Sequence, residues 1–224
     1  MKITYLGHSG FLVETEKHCL VFDYVQGDLE KALHGREAVF FVSHSHSDHY
    51  SRRIFGFPHT KAVLSSDIRG GDDRTVHVSP GEEIETDGCR VHVFGSTDLG
   101  VSFLVDADGE TIFHAGDFNY WHWKEESTPQ EIAEMEALFY RELEPMLQDP
   151  TPIQACFFPV DPRLGPDCGE GARIFARKKH PEVLIPMHFL GMEKLAAGYA
   201  KELQDCVPVI TLTKSMETAV WPCQ

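Results

Sequence analysis

The chain has 224 residues, 42% of them hydrophobic, which suits one domain (residues 1–224) able to bury a sizeable core. A formal net charge of −15 disfavours nucleic acid and anionic membrane surfaces as partners, because nothing would neutralise their phosphates. No apolar run reaches the ~18 residues a membrane span needs, and residues 1–8 lack the apolar stretch and cleavage site of a signal peptide, so the expected compartment is the cytoplasm.

Residues 2–6, 11–14 and 19–23 are short runs rich in Ile, Val, Leu and Phe and predict strands. The turns Gly7-His8-Ser9-Gly10 and Glu16-Lys17-His18 separate them. Residues 29–33 read as a short helix, and the unbroken apolar run 38–42 as a strand buried on both faces. Strands follow at 61–64, 75–78, within 81–86 around Glu83 and Ile84, and at 90–94, 101–105 and 111–114. Asp106-Ala107-Asp108-Gly109 suits a hairpin turn between the last two. Thr128, Pro129 and Glu131 then cap a helix from 129 to about 147. Strands at 155–160 and 183–186 alternate with helices at 169–179 and 194–204, and 207–212 and 218–221 read as closing strands. Strands first, then helix and strand in alternation, predict an α/β (α+β) chain with two sheets covered by helices on the outside.

Cys19, Cys89, Cys156, Cys168, Cys206 and Cys223 form no C-x-x-C pair, so neither a zinc knuckle nor a redox motif is suggested. Reduced thiols, mostly packed as small apolar residues, are the expectation.

The thirteen histidines carry more information through their placement. Ser43-His44-Ser45-His46-Ser47-Asp48-His49 follows directly on the 38–42 strand. In an extended segment residues i and i+2 point the same way, so His44 and His46 can converge on one point. Asp48 and His49 diverge unless a turn aims them at a second point beside the first. Small serines between them leave room for crowded ligands, and imidazole with carboxylate suits Zn²⁺, and also Fe or Mn. A polar surface loop that happens to hold three histidines is the competing reading. Four potential donors within six residues, at the mouth of a buried strand, weigh against it. Asp117 and His188 each end a further apolar strand, where ligands and catalytic groups gather in α/β architectures.

With these residues in view, the chain resembles the metallo-β-lactamase superfamily, whose H-x-H-x-D-H hallmark matches His44 to His49. Within it the chain is similar to the branch that includes L-ascorbate-6-phosphate lactonase. The supporting stretches are Gly7-His8-Ser9-Gly10-Phe11-Leu12-Val13, the Asp23 strand end, His114-Ala115-Gly116-Asp117 and Ile185-Pro186-Met187-His188. The resemblance implies a four-layer αββα sandwich with the site at one edge of both sheets. It puts His44 and His46 in one metal site, Asp48, His49 and His188 in a second, and Asp117 between the two. It also implies a hydrolase of a small ester, lactone or phosphodiester that uses metal-activated water. Asp48 or Asp117 would orient the nucleophile, and His188 would stand on the leaving-group side.

The family usually supplies a third histidine to the first site after the strand matching 90–94. Here that segment, Gly95-Ser96-Thr97-Asp98-Leu99-Gly100, has none. Asp98, Ser96, a water, His92 or His122 could take its place. Alternatively, a single ion is held by Asp48, His49, Asp117 and His188. The gap also leaves open a non-catalytic metal- or ligand-binding protein of the same fold. A redox role is disfavoured, because that branch generally replaces the second histidine with an acid and His46 is intact. Arg163, just after the 155–160 strand, could bind a carboxylate or phosphate, which points to an anionic small-molecule substrate; a surface ion pair competes with that role. His8 and His122 are further candidates to contact substrate.

Overall fold

The computed structural model describes residues 1–222. Cys223 lies outside the described residues. Among the described residues, thirteen strands form two mixed sheets. The first sheet contains β1 (Lys2–Gly7), β2 (Gly10–Glu14), β3 (Cys19–Phe22), β4 (Ala38–Val42), β5 (His59–Ser65), β6 (Thr75–Val78) and β13 (Thr218–Val220), in the order β13-β1-β2-β3-β4-β5-β6. The second contains β7 (Glu83–Thr86), β8 (Cys89–Phe94), β9 (Ser102–Ala107), β10 (Glu110–His114), β11 (Ala155–Pro159) and β12 (Val183–Met187), in the order β12-β11-β10-β9-β8-β7. Each sheet is antiparallel at one end and parallel at the other: β3 to β6 run parallel, as do β10 to β12.

The layering follows from side-chain alternation along the strands. In β4, Val39 and Phe41 face the core between the sheets, while Ala38, Phe40 and Val42 face outward. The outward set packs with Leu29, Ala32 and Leu33 of α1 (Leu29–Leu33), so the strand is buried on both faces as its apolar run implies. On the other side α2 (Pro129–Gln148) and α3 (Glu170–Lys179) cover the second sheet, with Phe139 stacked on Phe118 and Phe175 on Phe113. The result is helix, sheet, sheet, helix. The capping box expected at Thr128 is present: its hydroxyl accepts from the Glu131 N–H, and Glu131 accepts from the Thr128 N–H.

Three sequence expectations need correction. Residues 207–212 form no strand; only Val209 bridges to Leu184, because Pro208 has no N–H to continue a ladder. The helix expected at 194–204 splits into α4 (Glu193–Ala200) and a 3-10 turn at Lys201–Asp205. The β9–β10 hairpin turns on Asp108 and Gly109, one residue beyond the centre of the expected turn; both have positive φ (55° and 78°), as a two-residue turn of this hand requires. Four of the cysteines, Cys19, Cys89, Cys156 and Cys168, are buried.

Candidate metal centre

The 43–49 run leaves β4 at the edge where the two sheets meet, and it is anchored from below. Asp23, one residue past β3 and fully buried, accepts from the Ser43 N–H (2.8 Å) and the Ser43 hydroxyl (2.7 Å). Its Oδ2 also takes His49 Nδ1 at 2.7 Å. The run then turns: the His49 and Tyr50 N–H groups both donate to the His46 carbonyl (3.0 and 2.8 Å). That turn lets the adjacent Asp48 and His49 serve one cluster. Two glycines permit the close approach. A Cβ on Gly100 would lie 2.0 Å from the Ser43 carbonyl, and one on Gly116 would lie 2.7 Å from Ser43 Cβ; both residues have positive φ.

Gly116 delivers Asp117 into the centre of the cluster. Asp117 Oδ1 lies 3.1 Å from His49 Nε2 and 3.2 Å from His188 Nε2, while Oδ2 lies 3.4 Å from His44 Nε2. His44 Nε2 is 3.1 Å from His46 Nδ1, the convergence expected of i and i+2 positions. His188, just past β12, gives its other ring nitrogen to Asp161 Oδ2 (3.0 Å). The donors fall into two sets, His8, Asp48, His49 and His188, and His44, His46 and Asp117, with the donor atoms of each set within 4.8 Å of one another.

Carboxylates orient the two central imidazoles: Asp23 fixes His49 and Asp161 fixes His188, so each presents Nε2 to the cluster. Sequence reasoning left both acids out of the candidate site. Each gives the signal of a lone acid after an apolar strand, which for Asp23 also supports the family resemblance, and that position is also an ordinary turn. Arg163 donates to Asp161 through Nε (2.9 Å) and lies over the Trp123 ring at 5.5 Å.

Burial penalises a charged imidazole, but the carboxylates of Asp117 and Asp23 outweigh it and hold His49 well above its ordinary pKa. His188 is likewise pushed up to about 9, against burial, by Asp117 and Asp161. Asp117 is held well below the usual carboxylate range: burial would raise it, and His49 and His188 more than reverse that. His44 goes the other way, lowered by burial and by its neighbour His49. A negative centre therefore attracts positive charge, which either protons on imidazoles or a cation can provide.

The residues fit a divalent cation on two counts. Imidazole and carboxylate are its ordinary donors. His49 Nε2, Asp117 Oδ1 and both ring nitrogens of His8 are buried without a hydrogen-bond partner, a state native interiors rarely keep unless something else satisfies those atoms.

The remaining candidates are placed as follows. His8 joins the cluster, with its ring centroid 4.2 Å from that of His188. Asp98 lies 3.9 Å from His46 Nδ1, so the segment without a histidine still brings an acid toward the first set. His92 instead pairs with Asp149, beyond the end of α2. His122 is not brought to the cluster: its ring nitrogens meet the Asp167 carbonyl and the Lys124 N–H, and its neighbours Trp121 and Trp123 face the site instead. A cavity of about 300 Å³ beside the cluster is lined by Asp98, Asp117, Trp121, Trp123, Arg163 and His188, among others. Among the described residues, no helix is long and apolar enough to cross a membrane.

Residues 2–140 match the family model described as the beta-lactamase superfamily domain. A protein of Korarchaeum cryptofilum named as a metal-dependent hydrolase is 27% identical over 133 residues, covering 52% of this chain and 60% of that protein. A Pyrococcus abyssi protein of the same name is 22% identical over 244 residues, covering 97% and 98%. Among solved structures, Igni18, a metallo hydrolase from Ignicoccus hospitalis, superposes with a TM-score of 0.68 at 17% identity and covers 100% of this chain and 99% of its own. CmlA, a diiron beta-hydroxylase from Streptomyces venezuelae, gives 0.65 at 12% identity, covering 97% of this chain and 53% of its own. At these identities both structures show the shared fold and nothing further.

Proposed function

From the premise that the chain belongs to the metallo-β-lactamase superfamily, we propose that it is a metal-dependent hydrolase with His44, His46, Asp48, His49, Asp117 and His188 as its metal-binding residues. The observation that carries this reading is Asp117 Oδ1, buried 3.1 Å and 3.2 Å from the Nε2 atoms of His49 and His188 and without a hydrogen bond of good geometry to either. Zinc is the cation that best suits these four imidazoles and two carboxylates, and manganese or iron suit the same donors. When bound, such an ion supplies Lewis acidity, making water more acidic and polarising a carbonyl or phosphoryl oxygen.

The chain's own groups account for the rest. Asp117 or Asp48 orients the attacking water through its carboxylate, and His188 stands toward the leaving group. Trp121 and Trp123 stack at 6.1 Å and wall the cavity, excluding water from one side. Arg163 rests its guanidinium on Trp123 and directs two of its nitrogens to Asp161. The guanidinium offers its remaining N–H groups to a carboxylate or phosphate on the substrate. The substrate is therefore a small ester, lactone or phosphodiester carrying an anionic group. A lactone stays in this set because the motifs resemble the branch that includes L-ascorbate-6-phosphate lactonase.

Elemental analysis paired with turnover of aryl-ester, lactone and aryl-phosphodiester substrates tests the reading. Stoichiometric metal with turnover that disappears in Asp117→Asn supports it. Stoichiometric metal with no turnover on any substrate favours the non-catalytic binding role that the histidine-free 95–100 segment suggests. A protein without metal contradicts both.

A further inference from the structure

His8 stands apart from the 43–49 run in sequence and comes from the β1–β2 turn. Its backbone is left-handed, φ +54°, a conformation that non-glycine residues seldom hold and that gathers at functional sites. The bond from the His188 N–H to the His8 carbonyl (3.2 Å) ties that turn to the end of β12. The imidazole is buried, and neither of its ring nitrogens has a hydrogen-bond partner. Nε2 lies 3.4 Å from Asp48 Oδ2, and the ring centroid lies 5.2 Å from that of His49. A histidine placed only for packing would not need its polar atoms turned toward three other donors.

We propose that His8 is the fourth donor of a closed cation site, with Asp48, His49 and His188, and that this site holds its ion more tightly than the neighbouring set of His44, His46 and Asp117. The proposal rests on the metal-dependent reading above. Three imidazoles and one carboxylate fill a tetrahedral set, the arrangement of sites that keep their ion. The other set has three donors, and one of them, His46, is half exposed. The histidine absent from 95–100 therefore weakens one site, while the other is completed from a different part of the chain.

The test is zinc binding to the metal-stripped full-length protein, followed by competition with a coloured chelator. Wild type should bind two zinc ions with separable affinities. His8→Asn and His8→Gly both tolerate the left-handed backbone. Each should weaken the tight site by more than about 100-fold, since loss of even an outer hydrogen-bonding partner typically costs 10–100-fold. His46→Ala should remove the weak site and leave the tight one. Tight-site affinity unchanged in both His8 variants, with His46→Ala still losing one ion, overturns the role of His8 and leaves the metal reading intact. Wild type that binds no stoichiometric zinc overturns the metal reading itself. Should neither variant fold, nitrogen-15 spectra of histidine-labelled wild type decide. The first equivalent of zinc should shift a ring nitrogen of His8 together with those of His49 and His188; a His8 resonance that stays in place overturns the proposal.

Discussion

The backbone N–H of His188 donates to the carbonyl of His8 across 3.2 Å, and both residues hold left-handed backbone, at φ +68° and +54°. His8 belongs to the β1–β2 turn of the first sheet and His188 to the end of β12 in the second, so the bond joins the sheets at the mouth of the cluster. Backbone strain there is spent on aiming two imidazoles at one place.

Strain and chemistry at His188 can be separated. His188→Asn keeps a residue tolerant of left-handed backbone, so its loss of stability reports only the lost contacts to Asp117 and Asp161, while zinc affinity falls by about 100-fold or more. His188→Val should lose the affinity and a further ~1–2 kcal/mol of stability, because a branched side chain resists that conformation. Urea denaturation with zinc titration checks both. Equal stability of the two variants would remove the strain argument.

Asp161 is expected to act through His188. Asp161→Asn leaves an acceptor for Nδ1 but removes the buried charge that holds the ring and pairs with Arg163. Zinc affinity should fall by about 10–100-fold with the fold retained. Calorimetric titration measures it, and unchanged affinity would mean that the ring needs no such partner.

Arg163→Gln should discriminate between substrates. The loss of a charged hydrogen bond, about 1.5–3 kcal/mol, corresponds to a drop of roughly 10- to 150-fold in kcat/KM for an anionic substrate. A neutral ester of the same size should be nearly unaffected. An equal loss on both substrates would assign Arg163 to holding Asp161 rather than to recognition.

Away from the site, Asp108 makes acid stability testable. Its carboxylate accepts from the Thr15 hydroxyl (2.6 Å), the Lys17 N–H (2.8 Å) and His18 Nδ1 (2.9 Å). Burial would raise its pKa, but these donors hold it below the usual carboxylate range. A folded-state pKa below the unfolded one contributes stability that is present above about pH 4 and is lost as pH falls through the folded value. Asp108→Asn suits the positive φ of the turn, and should cost about 1–2 kcal/mol at pH 7. The gap to wild type should narrow steadily below pH 4. A gap of constant size from pH 7 to pH 3 would contradict the assignment.

The fold was legible wherever a face alternates or an apolar run is unbroken, as in β4, where both readings point to a strand buried on two sides. Residues 207–212 have the same apolar composition, but Pro208 withholds a donor, and composition alone overlooks that. The donors in 43–49 were legible from their density. The partners that orient them were not: Asp23 and Asp161 are single acids at strand ends, with no spacing that distinguishes a buried acceptor from a turn residue. His8 was legible as a turn residue near the motif, but its depth in the cluster depends on β12 folding against the first hairpin, a contact between residues 180 positions apart. The histidine-free segment 95–100 after β8 shows the reverse. The absence was plain in the sequence, and only the fold shows Asp98 approaching His46 there.

The most direct measurement is diffraction at the zinc absorption edge from crystals of the full chain grown with excess zinc. The expected result is an anomalous peak about 2.1 Å from the Nε2 atoms of His49 and His188, at ordinary zinc–imidazole distance. A well-ordered map with no peak between His49, His188 and Asp117, or one in which these three side chains do not face one another, would contradict the account.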